Sequence, residues 1–272
     1  MSRQWDGHAH VFAPDLTFVE PRRYTPGYAA TAEQLVGHLD ASGLAGGLLT
    51  QPSFLGFDNS HMLAAVARYP QRLRAVVVVD PGVSDAELDA LGAQGAVGVR
   101  LNLEGLALPD LTRAPWPALF ARIARRNWHV EIHRKAVDLP GLLAPLLASG
   151  VRICIDHFGR PDPEMGPYDP GFQALVEAAA SGRVWVKVSA AYRTGGVERG
   201  EALAPALLAA LLSAFGTSRL IWASDWPHTQ HESQVTHREC FEALERWAGN
   251  EALASQLRTN GIAGLLEDVY VS

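Results

Sequence analysis

The sequence predicts a single-domain (β/α)8 barrel, the TIM-barrel class of α/β fold, and three observations carry that expectation. Strand-like and helix-like segments alternate eight times along the chain. No charge run, low-complexity block or linker marks a second unit, so one domain is expected from residue 1 to 272. The length of 272 residues would allow two domains at about 150 residues each, but it also matches the ~250 residues typical of such barrels. An open doubly wound sheet is the competing arrangement, and eight units in this length fit the barrel better.

The first strand is expected at residues 5–12 (WDGHAHVF), followed by a Pro-rich loop, 13–27, that is long for a βα connection and therefore a candidate for function or mobility. Thr31 and Gln34 form a capping box opening a helix with Leu35, Val36 and Leu39 on one face, ending near Gly43. Residues 46–50 (GGLLT) read as a short apolar strand running into Gln51, Pro52 and Ser53, with a helix from Asp58 through Tyr69. The run 74–79 lacks alternation, as suits a strand buried on both faces. Residues 84–94 are helical by pattern and 97–101 form the fourth strand. A helix at 115–127 has Pro near its start, where a missing N–H is harmless. Strands at 128–133 (WHVEIH), 151–156 (VRICID), 184–189 (VWVKVS) and 220–223 follow, with helices at 139–149, 170–181 and 201–215 between them. A helix from about 233 to 247 completes the eighth unit, and a last helical segment spans 251–266.

With 48% hydrophobic residues the chain can bury a large core, and a net charge of −6 without a basic run gives no footprint for nucleic acid or a membrane surface. Arg3 is not followed by an apolar h-region and no 18-residue apolar stretch occurs, so neither a signal peptide nor a transmembrane helix is expected. Cys154 and Cys240 are far apart with no C-x-x-C, which argues against a disulfide framework or zinc ribbon and fits a cytoplasmic location. Neither G-x-S-x-G, Walker A nor a strand-linked G-x-G-x-x-G is present, which argues against a serine triad and against phosphate or dinucleotide binding.

Side chains on a strand alternate faces, so His8 and His10 point the same way and can converge on a metal ion or a polarised oxygen. At the other end of the chain, Asp225 and His228 follow an apolar strand. Active sites of barrels gather at the C-terminal ends of strands. The residues there are His8 and His10, Ser53, Arg100 and Asn102, His133 and Arg134, Asp156 and His157, then Ser189, Tyr192 and Arg193, and finally Ser224, Asp225 and His228. The set points to hydrolytic or eliminative chemistry with a carboxylate base and an imidazole cluster, with or without a metal. Structural roles compete for each residue: Asp225 as a helix cap, Arg100 as an ion-pair partner, Asp156 as a partner of Arg152 or Arg160, and Trp222 and Trp226 as packing. Most of His228, His231 and His237 are expected to be solvated.

The H-x-H of the first strand, His157 in D-H-F-G-R-P and Asp225 in S-D-W-P-H together resemble the amidohydrolase superfamily, in the branch of 2-pyrone-4,6-dicarboxylate lactonase and related sugar lactonases. The likeness runs from Trp5 to Thr259-Asn260-Gly261. It implies a hydrolase of a carboxylated lactone in the breakdown of aromatic compounds. In that reading Asp225 is the base for water, while His8, His10 and His157 polarise the ring carbonyl. Ser53 resembles a substrate-contacting serine, Arg100 a carboxylate-binding arginine, and Arg193 matches another less closely. The family's second arginine after the one matched by Arg100 is replaced here by Leu103-Glu104-Gly105-Leu106. His133 stands where metal-dependent members place a ligand, so a divalent ion such as zinc is an alternative to a cofactor-free site. A metal-dependent sugar lactonase and a metal-dependent decarboxylase are the alternative activities. The expected partner is a small carboxylated lactone, neither nucleic acid nor membrane, and a homo-oligomer is compatible with the sequence.

Overall fold

The computed structural model describes residues 3–267 and Val269. Eight parallel strands form one sheet in chain order: β1 (Trp5–Ala9), β2 (Gly46–Thr50), β3 (Leu73–Val77), β4 (Ala96–Asn102), β5 (His129–His133), β6 (Arg152–Ile155), β7 (Val184–Val188) and β8 (Leu220–Trp222). Between them run α1 (Ala32–Ala41), α2 (Ser60–Arg68), α3 (Asp85–Ala93), α4 (Trp116–Arg125), α5 (Leu139–Ser149), α6 (Pro170–Glu177) and α7 (Val197–Phe215), and α8 (His237–Ala248) follows the last strand. The expected (β/α)8 barrel is what the chain forms. None of the helices among the described residues is long and apolar enough to cross a membrane.

The barrel closes at the seam between β1 and the segment after β8. Asp225 N donates to His8 O (2.9 Å), and His10 N donates to Trp226 O (2.8 Å). Below these, the Asp6 carboxylate accepts from Ser224 N (2.9 Å) and Ser224 Oγ (2.5 Å).

Period-two alternation sorts the strand residues into two environments. Outward side chains such as Val130, Ile132, Ile153, Ile155, Val186 and Val188 join the shell packed under the helices. A second apolar cluster, with Leu48, Val97, Cys154, Trp185 and Ile221 from the strands, plugs the barrel bottom. It is capped by Ile262, Leu265 and Leu266 of a C-terminal helix.

Several boundaries differ from expectation for local reasons. Thr236 caps α8 by accepting from Glu239 N, in a box that the Glu239 side chain completes, so that helix starts at His237 and not near 233. Helix α7 begins at Val197, before the expected Glu201. The last segment is two helices, α9 (Glu251–Leu257) and α10 (Asn260–Leu266), parted at Arg258 and Thr259.

Gly98 on β4 leaves room for the buried ring of His129 on β5: a Cβ there would lie 2.5 Å from His129 Cε1. Gly98→Ala is therefore expected to destabilise the fold by about 1–3 kcal/mol through overpacking, read from chemical denaturation. An unchanged midpoint would show that the barrel interior has slack there.

Candidate active site

Above the apolar plug the barrel interior becomes ionic. Arg100, Glu131, Asp156 and Lys187 project from neighbouring strands or from the residue after one, and all four are buried. Lys187 Nζ donates to Glu131 Oε2 and lies 3.4 Å from Asp156 Oδ1. Arg100 Nη2 donates to Asp156 Oδ2 (3.1 Å), Nη1 donates to Gln51 O (3.0 Å), and Nε faces Glu131 Oε1 at 3.4 Å. Two carboxylates thus balance two cations. Burial and the adjacent Asp156 push Glu131 up, but Lys187 and His129 bring it down to about 2. Burial likewise raises Asp156, and Lys187, His8 and Arg100 outweigh it to hold Asp156 well below the usual carboxylate range. Burial opposes the charge on Lys187, yet Glu131 and Asp156 keep its pKa raised.

The next layer up holds the expected catalytic set. His8 Nε2 and His10 Nε2 are 3.3 Å apart, and Asp225 Oδ1 lies 3.7, 3.8 and 3.7 Å from Nε2 of His8, His10 and His157. Asp225 Oδ2 accepts from Tyr192 Oη (2.6 Å) and Arg193 Nε (2.7 Å), whereas Oδ1 is buried without a hydrogen-bond partner among the described residues. His10 Nδ1 is 2.6 Å from Thr50 O. A carbonyl only accepts, so that proton sits on Nδ1 and the lone pair of Nε2 faces the site. His157 Nδ1 meets Ser189 Oγ at 2.9 Å. Burial raises Asp225, but Arg193 and then the imidazoles hold it well below the usual range. Burial and its imidazole neighbours depress His10 to about 3 and lower His133 strongly, and burial outweighs Asp225 to lower His157 strongly as well. Around the Asp225 carboxylate, burial thus holds the imidazoles of His10 and His157 neutral. Asp225 and His157 hold φ of 61° and 54°, left-handed conformations that cost non-glycine residues about 1–3 kcal/mol and aim both side chains inward.

A pocket of about 470 Å³, open to solvent, sits over this cluster. Ser53, Arg100, His133 and Arg193, the expected substrate contacts, all line it with His10, His157 and Asp225, while His8 lies beneath, fully buried. Arg100 and Arg193 are partly engaged by Asp156 and Asp225, so both belong to the scaffold of the site as well as to its wall. His133 Nε2 faces Arg160 Nη1 at 3.2 Å and does not join the other three imidazoles on Asp225. One cation missed in the sequence completes the wall: Arg23, from the long first loop, lines the pocket and donates to Asn102 Oδ1 (3.1 Å). Arg160, behind His133, pairs with Glu104 (3.1 Å) and is not part of that wall. The period-two pattern offered no signal for either.

Other missed residues had a signal: Lys187 in V-W-V-K-V and Glu131 in H-V-E-I-H are charges inside apolar strands, on the interior parity. The expectation that most of three late histidines are solvated is corrected. His228 is buried beside Tyr192 Oη (3.2 Å), and His237 is buried 3.4 Å from Asp6 and stacked on His38; only His231 reaches solvent. Asp156 pairs with Arg100 and Lys187, not with Arg152 or Arg160, because its side chain points into the barrel.

His8, His157 and Asp225 offer ligand atoms that all lie within 4.8 Å of one another, and His10 Nε2 stands 3.3 Å from His8 Nε2 and 3.8 Å from Asp225 Oδ1. This donor set fits a divalent ion such as zinc. A second group, His8, Glu131 and Asp156, has comparable spacing, but the Lys187 ammonium already sits against it.

Residues 5–259 match the sequence model of a family described as Amidohydrolase. A 2-pyrone-4,6-dicarboxylate hydrolase of Comamonas testosteroni is 32% identical over 82% of this chain and 76% of its own. A 4-sulfomuconolactone hydrolase of Hydrogenophaga intermedia is 32% identical over 83% and 75%. A crystal structure from Acinetobacter baumannii, described as a probable 2-pyrone-4,6-dicarboxylic acid hydrolase with citric acid bound, superposes with a TM-score of 0.93 at 37% identity. That superposition covers 97% of this chain and 98% of the other.

Burying neutral imidazoles couples stability to pH. His10, His133 and His157 have folded-state pKa values below their ordinary 6.5, so as pH falls the unfolded chain binds protons first. Stability is complete above about 6.5 and declines from there towards pH 3, where His10 titrates in the folded state. Each imidazole contributes about 1.4 kcal/mol per pH unit in that window. Thermal unfolding should show Tm dropping from pH 7 to 4 and a flatter slope in His133→Asn. A Tm independent of pH over this range would contradict the neutral cluster.

Proposed function

The chain belongs to the amidohydrolase family, and from that premise we propose that it is a lactonase, opening a carboxylated lactone by attack of an Asp225-activated water on the ring ester carbonyl. The observation that carries this reading is Asp225 Oδ1, an ionised, unpartnered oxygen among three imidazoles under a pocket walled by guanidinium groups. Tyr192 and Arg193 hold Oδ2, which leaves Oδ1 as the oxygen aimed at a water. Asp225 takes a proton from that water as its oxygen bonds to the carbonyl carbon. His157, which lines the pocket, donates its imidazole Nε2–H to the carbonyl oxygen as it gains charge, with Ser189 Oγ–H donating to its Nδ1. On collapse the ring carbon–oxygen bond breaks, and the proton held by Asp225 passes to the departing oxygen. With its pKa held low Asp225 is a weak base, so the step depends on a strongly polarised carbonyl, which fixed donors in a dry site provide.

Ser53, Arg100, Arg193 and Arg23 are the proposed substrate contacts, with His133 beside them. Guanidinium groups suit planar carboxylates, and the relatives reported above are named for hydrolysis of 2-pyrone-4,6-dicarboxylate and of 4-sulfomuconolactone. The structural relative binds citric acid, also a polycarboxylate. The reading includes a role in aromatic-compound breakdown and a cytoplasmic location, the latter supported by two free, buried cysteines.

The proposed step uses no resident metal. A second reading, a metal-dependent sugar lactonase or decarboxylase, is favoured by the spacing of the donor set. In it His8, His10, His157 and Asp225 would hold one divalent ion, which would supply a Lewis acid and lower the pKa of a bound water.

Asp225→Asn is expected to lower kcat by about 10²- to 10⁴-fold, the range of a lost general base, with substrate binding retained in titration calorimetry; full activity would remove Asp225 from the role. Arg23→Ala should raise KM for a carboxylated lactone about fivefold, as for an exposed charge pair worth about 1 kcal/mol, and leave a neutral lactone unaffected. Elemental analysis with activity before and after chelation separates the two readings. Activity that survives chelation supports direct water activation, while one zinc or manganese per chain, needed for turnover, transfers the argument to the metal reading.

A further inference from the structure

Lys187 does not reach the pocket, yet it bears on the chemistry through one contact. Its Nζ is 2.8 Å from His8 Nδ1, with both side chains fully buried. Glu131 lies against the same Nζ and Asp156 Oδ1 is 3.4 Å away, so two carboxylates keep the amine an ammonium. An ammonium has three donors and no acceptor. Contact at this distance therefore requires Nδ1 of His8 to be the acceptor, which leaves the imidazole proton on Nε2. That nitrogen faces His10 Nε2 at 3.3 Å and Asp225 Oδ1 at 3.7 Å.

The other tautomer has a ready home. Asp156 Oδ1 and Glu131 Oε1 lie 3.3 and 3.6 Å from His8 Nδ1, and both lack a hydrogen bond among the described residues. Without the ammonium, a proton on Nδ1 would be attracted by Asp156, and His8 would turn a lone pair towards the His10 Nε2 lone pair and the Asp225 carboxylate. We infer that Lys187 is a positioning residue that locks His8 in the Nε2–H tautomer, so that His8 presents a donor from beneath to His10 Nε2 and Asp225 Oδ1, which line the pocket. The same ammonium fills the niche formed by His8, Glu131 and Asp156 that would otherwise suit a bound cation.

The kinetic part of this inference rests on the lactonase reading, whereas the proton's position can be read without substrate. Nitrogen NMR of the protein labelled with ¹⁵N-histidine, assigned with His8→Gln, should show Nε2 protonated and Nδ1 bare on His8. In Lys187→Met the proton is expected to move to Nδ1. The double variant Lys187→Met/Glu131→Gln removes one charge of each sign, so it keeps the network balanced if the single variant does not fold. Turnover of a carboxylated lactone should fall about 10- to 100-fold in kcat, the usual range for losing an orienting partner, with KM within about threefold. A wild-type His8 carrying its proton on Nδ1, or a tautomer unmoved in the double variant, overturns the assignment. If no carboxylated lactone is turned over by the wild type while the tautomer shifts as stated, the lactonase reading fails and the role of Lys187 stands.

Discussion

Four buried charges on the barrel axis set the terms for everything above them. Taking Glu131, Asp156, Arg100 and Lys187 out of water is costly, and leaving any one unpaired would cost about 3–5 kcal/mol. A buried ion network is weak evidence for stability, since apolar residues of similar volume often do as well. Its value here is positional. The charges are supplied from β4 to β7, so their mutual geometry fixes how these strands and the segment after β6 stand around the axis. The layers follow from that: apolar plug below, ion network between, and an imidazole cluster with one carboxylate at the open end.

The seam of the barrel solves a second problem. His8 and His10 come from the start of the chain and Asp225 from near its end, yet backbone hydrogen bonds across the closure hold them in one register. Asp6 reinforces the seam by accepting from Ser224, and His237 faces it from α8. Because Asp225 N is tied to His8 O, the carboxylate and the imidazoles cannot drift apart without opening the barrel. The left-handed backbone at Asp225 is tolerable in that setting, since surrounding contacts over-determine it.

Beside Arg100 of β4, charge around the pocket comes from loops. Arg23 belongs to the long first loop, which returns to the barrel through hydrogen bonds between Phe12 and Ala30 and reaches Asn102 at the end of β4. Arg160 follows the short turn at His157 and is tethered by Glu104. Loops are where such folds vary their substrates. The set of cations over the barrel interior is therefore what separates one lactone from another in this reading.

Eight alternating strand and helix patterns were enough to read the barrel, because period-two and 3.6-residue patterns are local properties of the chain. The same alternation put His8 and His10 on one face, and the rule that barrel chemistry sits at strand ends selected His157, Asp225, Ser53 and Arg100. Helix starts such as His237 were harder, since a cap is decided by one side-chain hydrogen bond that several nearby residues could have made. Which charges meet was beyond the sequence altogether. That Lys187 faces His8, that Arg193 holds Asp225, that His133 turns to Arg160 and that His228 and His237 are buried depend on side chains brought together from remote positions in the chain. The sequence by itself determined the fold class and which polar residues stand at the strand ends, because both are written in local pattern and residue type. Only the tertiary structure decided their protonation and partners, because charge placement in a water-poor interior is set by distances of a few ångströms between residues the chain order keeps far apart.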